Sequence, residues 1–199
     1  MMTSEINTIK EDMIKAASRA YQIGLQTGNG GNLSCRVPAS SIIIIKGSGL
    51  SFGECRHDNF VLVTIDGEVI GGTGNPSREL LTHLCIYRLR PDIHGIFHTH
   101  SPWSIACADG SRDIPLITGH AKAKLGPVPV IRGEDQGTVD FARTVEKLLC
   151  EKPTLRAFVQ IGHGIFGLGE DIIQAEHNVE LVEETSQIAL LIGLKKVNS

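Results

Sequence analysis

No run in this sequence is long and apolar enough to span a bilayer, and the start, Met1 to Lys10, is too polar for a signal peptide. Positive charge is not in excess either. Nineteen Lys and Arg against 22 Asp and Glu give a net charge of −3, which argues against a nucleic-acid partner while leaving room for a local positive pocket. Five cysteines, Cys35, Cys55, Cys85, Cys107 and Cys150, are scattered without a Cys-x-x-Cys pair, so they read as reduced thiols of a cytoplasmic protein. Repeats, low-complexity tracts and linkers are lacking. At 41% apolar and 21% charged residues, the 199-residue chain reads as a single domain, 1–199, with a hydrophobic core.

What is present is an alternation of helix and strand patterns. Ile9, Met13, Ala16, Ala20 and Ile23 recur at helical spacing and stop at Thr27-Gly28-Asn29-Gly30-Gly31. Residues 32–36 and the unbroken Ile42–Ile45 run read as strands, the second buried on both faces. Asp66-Gly67 between two apolar runs predicts a hairpin, hence antiparallel pairing. A helix with Ser77 as N-cap presents Leu80, Leu81, Leu84 and Tyr87 on one face, and Pro91 closes it. Further on, the patterns predict a strand at Gly95, a short helix over 103–108, and strands at 116–118 and 128–131. A turn at 132–137, a helix near 139–149, a strand over 158–161 and a last helix from about 171 to 194 complete the chain. A mixed, largely antiparallel sheet between helices accommodates these elements.

The chemistry centres on Gly95–Pro102. His98 and His100 lie two residues apart near a strand end and therefore point to one face: half of a metal site, or two ordinary polar residues. His163 stands between two glycines, where backbone must come close to something. Glu79 follows a glycine-rich loop in the first turn of its helix, a position that suits any carboxylate electrostatically. Together the four make a three-His, one-carboxylate set of the kind that binds Zn²⁺. Gly30-Gly31-Asn32, Ser48-Gly49 and Pro76-Ser77 offer backbone N–H groups and short polar side chains. They are either an anion cradle or three ordinary turns.

Five motifs in order resemble the class II aldolase/adducin family over about 9–191: Gly30-Gly31-Asn32-Leu33-Ser34, Ser48-Gly49, Pro76-Ser77-Arg78-Glu79, His98-Thr99-His100-Ser101-Pro102 and Gly162-His163-Gly164. The resemblance implies a three-layer α/β/α fold on a largely antiparallel mixed sheet, assembled as a homotetramer with interfacial active sites. It implies one Zn²⁺ per subunit on His98, His100 and His163, with Glu79 as ligand and catalytic acid/base. Asn32, Ser48, Gly49 and Ser77 match phosphate-binding positions. The activity implied is retro-aldol cleavage of a ketose 1-phosphate to dihydroxyacetone phosphate and an aldehyde, with zinc as Lewis acid. Decarboxylation of a phosphorylated sugar acid and phosphopentulose 4-epimerase or dehydratase chemistry use the same metal set; a scaffold without chemistry would lack ligands that are present here.

Three departures separate the chain from the family's fuculose-phosphate aldolases. Their tyrosine after the histidine pair has no counterpart in 117–122, where His120 and Lys122 are candidate substrate-binding residues. The only tyrosines are Tyr21 and Tyr87, and the chain stops at Ser199 without the aldolases' second tyrosine. Arg78 stands where many relatives carry serine, placed to grip a phosphate or a substrate carboxylate unless it simply faces solvent.

Overall fold

The computed structural model describes residues 2–110, 113–132 and 136–197. Its helices are α1 (Met2–Gln22), α2 (Leu80–Leu89), α3 (Pro102–Ala108), α4 (Gly119–Leu125), α5 (Val139–Glu151) and α6 (Ile172–Val197). Its strands are β1 (Asn32–Arg36), β2 (Ile42–Lys46), β3 (Phe60–Thr64), β4 (Val69–Gly71), β5 (Gly95–Thr99), β6 (Val130–Ile131), β7 (Ala157–Gln160) and β8 (Gly164–Gly169). They form one sheet in the order β4-β3-β2-β1-β5-β8-β7-β6, antiparallel throughout except for the parallel β6–β7 pair.

Strand alternation divides the core into two layers. Ile44, Phe97 and Val159 face a cluster with α1, α3, α4 and α6. Their neighbours Ile43, Ile45, Ile96 and Phe158 face a second cluster with α2 and α5. The expected three-layer α/β/α architecture with a largely antiparallel mixed sheet is therefore what forms. Among the described residues no helix is long and apolar enough to cross a membrane.

Glycine sets how closely α6 approaches the sheet. A Cβ on Gly167 would lie 2.3 Å from the Ala175 carbonyl oxygen, and one on Gly169 would lie 2.5 Å from the Ala175 nitrogen. Packing helix backbone directly on strand backbone requires glycine at both positions. Glycine weakens the strand signal over Gly164–Gly169, and this strand was not anticipated.

Other elements depart from the expectations for identifiable reasons. The strand expected at 116–118 does not form, because α6 satisfies that segment: Ile117 N–H donates to Thr185 Oγ1 (2.9 Å), and Thr185 Oγ1 donates to the Pro115 carbonyl (2.8 Å). Helix α4, unanticipated, follows directly, capped by Thr118 and anchored by buried Ala121 and Leu125. Leu81 of α2 is exposed although its neighbours Leu84 and Tyr87 are buried. The predicted hairpin at Asp66-Gly67 forms, with Thr64 N–H donating to the Glu68 carbonyl. Of the predicted turn over 132–137, residues 133–135 lie outside the described residues. Helix α6 runs past Leu194 to Val197.

The glycine contacts make a paired prediction. Gly167→Ala forces α6 off the sheet and should cost about 1–3 kcal/mol, read as a lower urea midpoint. Gly193→Ala meets no atom within 4 Å in α6 and should gain about 0.5–1 kcal/mol in the same titration.

Candidate metal centre

Strand β5 delivers His98 from its interior and His100 from just beyond its end, while the β7–β8 turn delivers His163. Because β5 pairs with β8, with His98 opposite Phe166, the two segments meet side by side. The His163 Nε2 lies 3.3 Å from His98 Nε2 and 3.0 Å from His100 Nε2. All three ligand nitrogens lie within 4.8 Å of one another.

Neighbouring groups fix the direction in which two of these rings present a lone pair. His98 Nδ1–H donates to the Ile165 carbonyl at 2.8 Å, and His163 Nδ1–H donates to Gln160 Oε1 at 2.7 Å. Each Nε2 is then unprotonated and faces inward, the arrangement that orients metal-binding imidazoles. His100 is held from its backbone, whose N–H donates to Gln26 Oε1 (2.8 Å). Its ring lies so close to Gly30 that a Cβ there would sit 2.6 Å from Nδ1. Gly164 is equally constrained, since a Cβ would meet the Thr99 carbonyl oxygen at 2.0 Å. The close approach expected beside His163 is thus the β5 backbone itself. Phe166 stacks on His98 with centroids 4.1 Å apart.

Glu79 completes the set. It is the N-cap residue of α2 rather than part of its first turn, and its side chain caps nothing. Oε2 lies 3.2 Å from His98 Nε2, and Oε1 lies 3.6 Å from His163 Nε2. Oε2 also accepts from Asn32 Nδ2–H, whereas the buried Oε1 has no hydrogen-bond partner among the described residues. Burial raises the Glu79 pKa, opposed by the nearby imidazoles, the Asn32 hydrogen bond and Arg78. Burial pushes the His98 and His163 pKa values down to about 3. Unprotonated nitrogens facing one another beside an orphaned buried carboxylate oxygen fit a divalent cation.

The expected anion loops open onto this centre. Asn32, Ser48, Gly49 and Ser77 line one pocket with Glu79, His100 and His163, and Arg78 stands exposed at its rim. Helix α2 starts three residues after Ser77, whose hydroxyl accepts from Glu79 N–H (3.3 Å) in a turn that leads into the helix. Asn32 has both ends of its amide engaged inside the protein, Nδ2 on Glu79 and Oδ1 on His83. His120 and Lys122 are exposed on α4 and do not line the pocket within one chain. Neither tyrosine lines it.

Sequence reasoning missed four contributors. Lys46 is buried and lines the pocket, its ammonium donating to the Leu50 (2.5 Å) and Gly47 (3.2 Å) carbonyls. Gln26 and Gln160 hold His100 and His163. The fourth, His83, follows Glu79 by four residues, a spacing that places both on one helical face.

Three imidazoles and a buried carboxylate thus meet beside a pocket lined by glycine-rich loops, on an antiparallel sheet between helices. The match to the Class II Aldolase and Adducin N-terminal domain covers residues 11–190, and the chain belongs to that family. It is 30% identical to a 3-oxo-tetronate 4-phosphate decarboxylase of Escherichia coli strain CFT073, over 94% of this chain and 88% of that protein. It is 31% identical to the L-ribulose-5-phosphate 4-epimerase UlaF of Salmonella paratyphi B, over 91% of this chain and 83% of the relative. Among solved structures, an L-fuculose 1-phosphate aldolase superposes with a TM-score of 0.86 at 28% identity, covering 94% of this chain and 86% of the other.

The histidine burial sets a pH dependence. In the unfolded chain His83, His98 and His163 take up protons near pH 6.5, but in the folded chain not until about pH 3. Their neutral forms favour folding above pH 6.5, and this contribution is lost as pH falls through that window. The urea midpoint of chelator-treated protein should therefore drop progressively below about pH 6.5; a midpoint flat to pH 4 would contradict the burial of these rings.

Proposed function

We propose that this chain is a Zn²⁺-dependent lyase that decarboxylates a phosphorylated 3-oxo sugar acid. The observation that carries this reading is its similarity, at 30% identity over nearly the full length, to decarboxylases of 3-oxo-tetronate 4-phosphate. The fuculose-type retro-aldol reaction expected from the motifs is supported less well. The comparisons include a decarboxylase and an epimerase among the similar curated proteins.

The two reactions share their central fragment. In a four-carbon 3-oxo acid 4-phosphate, loss of CO₂ breaks C1–C2, and the electron pair moves into C2–C3 and onto the 3-oxo oxygen. A proton returned to C2 gives dihydroxyacetone phosphate. Retro-aldol cleavage of a ketose 1-phosphate breaks C3–C4, leaves the pair on C3, and gives the same molecule after protonation. The leaving group differs, not the fragment retained.

The residues have roles that fit this chemistry. Lys46, Ser48, Ser77 and the backbone at Gly49 bind the phosphate. His98, His100 and His163, with Glu79 beside them, would hold a Zn²⁺ that supplies Lewis-acid polarisation of the substrate oxygens. Glu79 Oε1 moves the proton at the reacting carbon. Arg78 selects a substrate with a carboxylate. A guanidinium clamped on that group through the reaction would stabilise the reactant charge and oppose CO₂ loss, so its rim position suits capture better than catalysis. The homotetramer and cytoplasmic location belong to the same proposal; a neighbouring copy is the route by which exposed His120 or Lys122 reaches a pocket, and sedimentation tests the assembly.

Assaying CO₂ and dihydroxyacetone phosphate separately decides between the reactions. Equal release of both from a 3-oxo-tetronate 4-phosphate, abolished by chelator and restored by Zn²⁺, is the expected outcome. Dihydroxyacetone phosphate with an aldehyde from a ketose 1-phosphate, and no CO₂ from the acid, would replace decarboxylation with retro-aldol cleavage. In the active enzyme, Glu79→Gln should lower kcat by about 10²-fold or more while phosphate still binds. Arg78→Met should raise KM for the acid about tenfold with a smaller effect on kcat.

A further inference from the structure

A buried chain of hydrogen bonds stands behind Glu79. Asn32 Nδ2–H donates to Glu79 Oε2, and Asn32 Oδ1 lies 2.5 Å from His83 Nε2. His83 Nδ1 lies 2.6 Å from Ser34 Oγ, which lies 2.8 Å from the Tyr87 hydroxyl. His83, Ser34 and Tyr87 are at most 1% exposed, so water is no alternative partner for them. Two elements contribute: β1 supplies Asn32 and Ser34, and α2 supplies His83 and Tyr87, with Glu79 at its N-cap.

The chemistry of the groups gives the chain one direction. A carboxylate only accepts, so the Asn32 amide must turn its NH₂ towards Glu79. Its Oδ1 then faces His83 and can only accept, which makes His83 the Nε2–H tautomer. The bare Nδ1 accepts from Ser34 Oγ–H, and Ser34 accepts from Tyr87 OH. If the Asn32 amide were reversed, two oxygens would face each other at the Glu79 end. His83 is therefore the opposite tautomer to His98 and His163, whose protons sit on Nδ1.

We propose that His83 is a positioning residue: by fixing the Asn32 amide it anchors Glu79 through Oε2 and leaves Oε1 as the oxygen presented to the substrate. The inference rests on the reading of Glu79 as the proton-moving group. It also assigns the Asn32 side chain to the carboxylate rather than to the phosphate, leaving only its backbone for the anion loop. His83 touches neither the anion pocket nor the three metal-type nitrogens, so it acts through Asn32. Without the Nε2–H donor, buried Asn32 Oδ1 loses its partner and the amide keeps only its bond to Glu79, so Glu79 is held less firmly, while the histidine cluster and the phosphate loops keep their positions.

Two measurements test this, one independent of turnover. Long-range ¹H–¹⁵N correlation of the metal-free protein should show His83 as the Nε2–H tautomer, and its pattern should change in Asn32→Ala; an Nδ1–H tautomer overturns the proposal. In the zinc-loaded enzyme, His83→Phe removes the donor and keeps the bulk. It should lower kcat about 10–100-fold, with KM and bound zinc per chain within about twofold of the wild type. His83→Gln, which retains a donor for Asn32, should recover most of the loss. An unchanged kcat in folded, zinc-loaded His83→Phe, or no recovery by His83→Gln beyond it, overturns the positioning role. If His83→Phe does not fold, the tautomer and the His83→Gln kinetics still decide. Wild-type protein inactive on every sugar phosphate would instead sink the functional reading, leaving the tautomer result to judge the hydrogen-bond chain.

Discussion

Imidazole nitrogens that face one another without a proton between them, beside a buried carboxylate, are costly to assemble inside a protein. Most of the surrounding structure answers to that constraint. An imidazole left to itself would rotate or protonate, so His98 is tied through Nδ1 to a strand carbonyl and His163 to Gln160. His100, beyond the strand end, is held by the backbone bond to Gln26 and by its close fit against Gly30. Phe166 fills the space beneath His98, and glycine at 164 lets the β7–β8 turn close onto β5. A divalent cation would turn this arrangement from a cost into a binding site and so couple metal affinity to folding.

The sheet's long-range order serves the same end. Antiparallel β1–β5–β8 pairing puts Asn32 opposite His98 and His98 opposite Phe166, so residues separated by more than 60 positions in sequence share one end of the sheet. Helix α6 reinforces it from one side through the glycines of β8. Glu183 of α6 accepts the N–H groups of Trp103 (2.9 Å) and Ser104 (2.8 Å), fixing the start of α3 immediately after His100. On the other face, α2 carries Glu79, His83 and Tyr87 on one polar line within an otherwise apolar contact.

Periodicity made the long helices and the alternating strands legible, and Asp66-Gly67 made the first hairpin so. Convergence of Glu79 with three distant histidines could be read only through the motif order, because spacing along a chain carries no information about separation in space. Strand β8 was hidden since glycine weakens the strand signal at the very positions where a helix must touch the sheet. The segment at 116–118 misled in the opposite way: its β-branched residues suit a strand, but its backbone partner is a threonine of α6. His83 was visible as a residue four positions after Glu79; its meaning depended on Asn32 and Ser34, which reach it from another element.

The retro-aldol and decarboxylation readings differ in the proton transfers they require. Retro-aldol cleavage needs a base to take the proton from the C4 hydroxyl as C3–C4 breaks. Tyr87 is engaged in the buried chain behind Glu79, and Tyr21 is exposed on α1 against Gly53. Decarboxylation has no such requirement. A carboxylate already carries the electrons that become the second C=O bond of CO₂, so its departure needs no proton transfer at the leaving group. The only proton to be moved is the one returned to carbon; in the proposed reading Glu79 takes it from solvent on Oε1, while Oε2 stays bonded to Asn32, and passes it to C2. A centre built to stabilise the retained fragment can therefore serve either reaction. In the proposed reading, Arg78 at the open end of the pocket matches the carboxylate that a decarboxylase substrate carries.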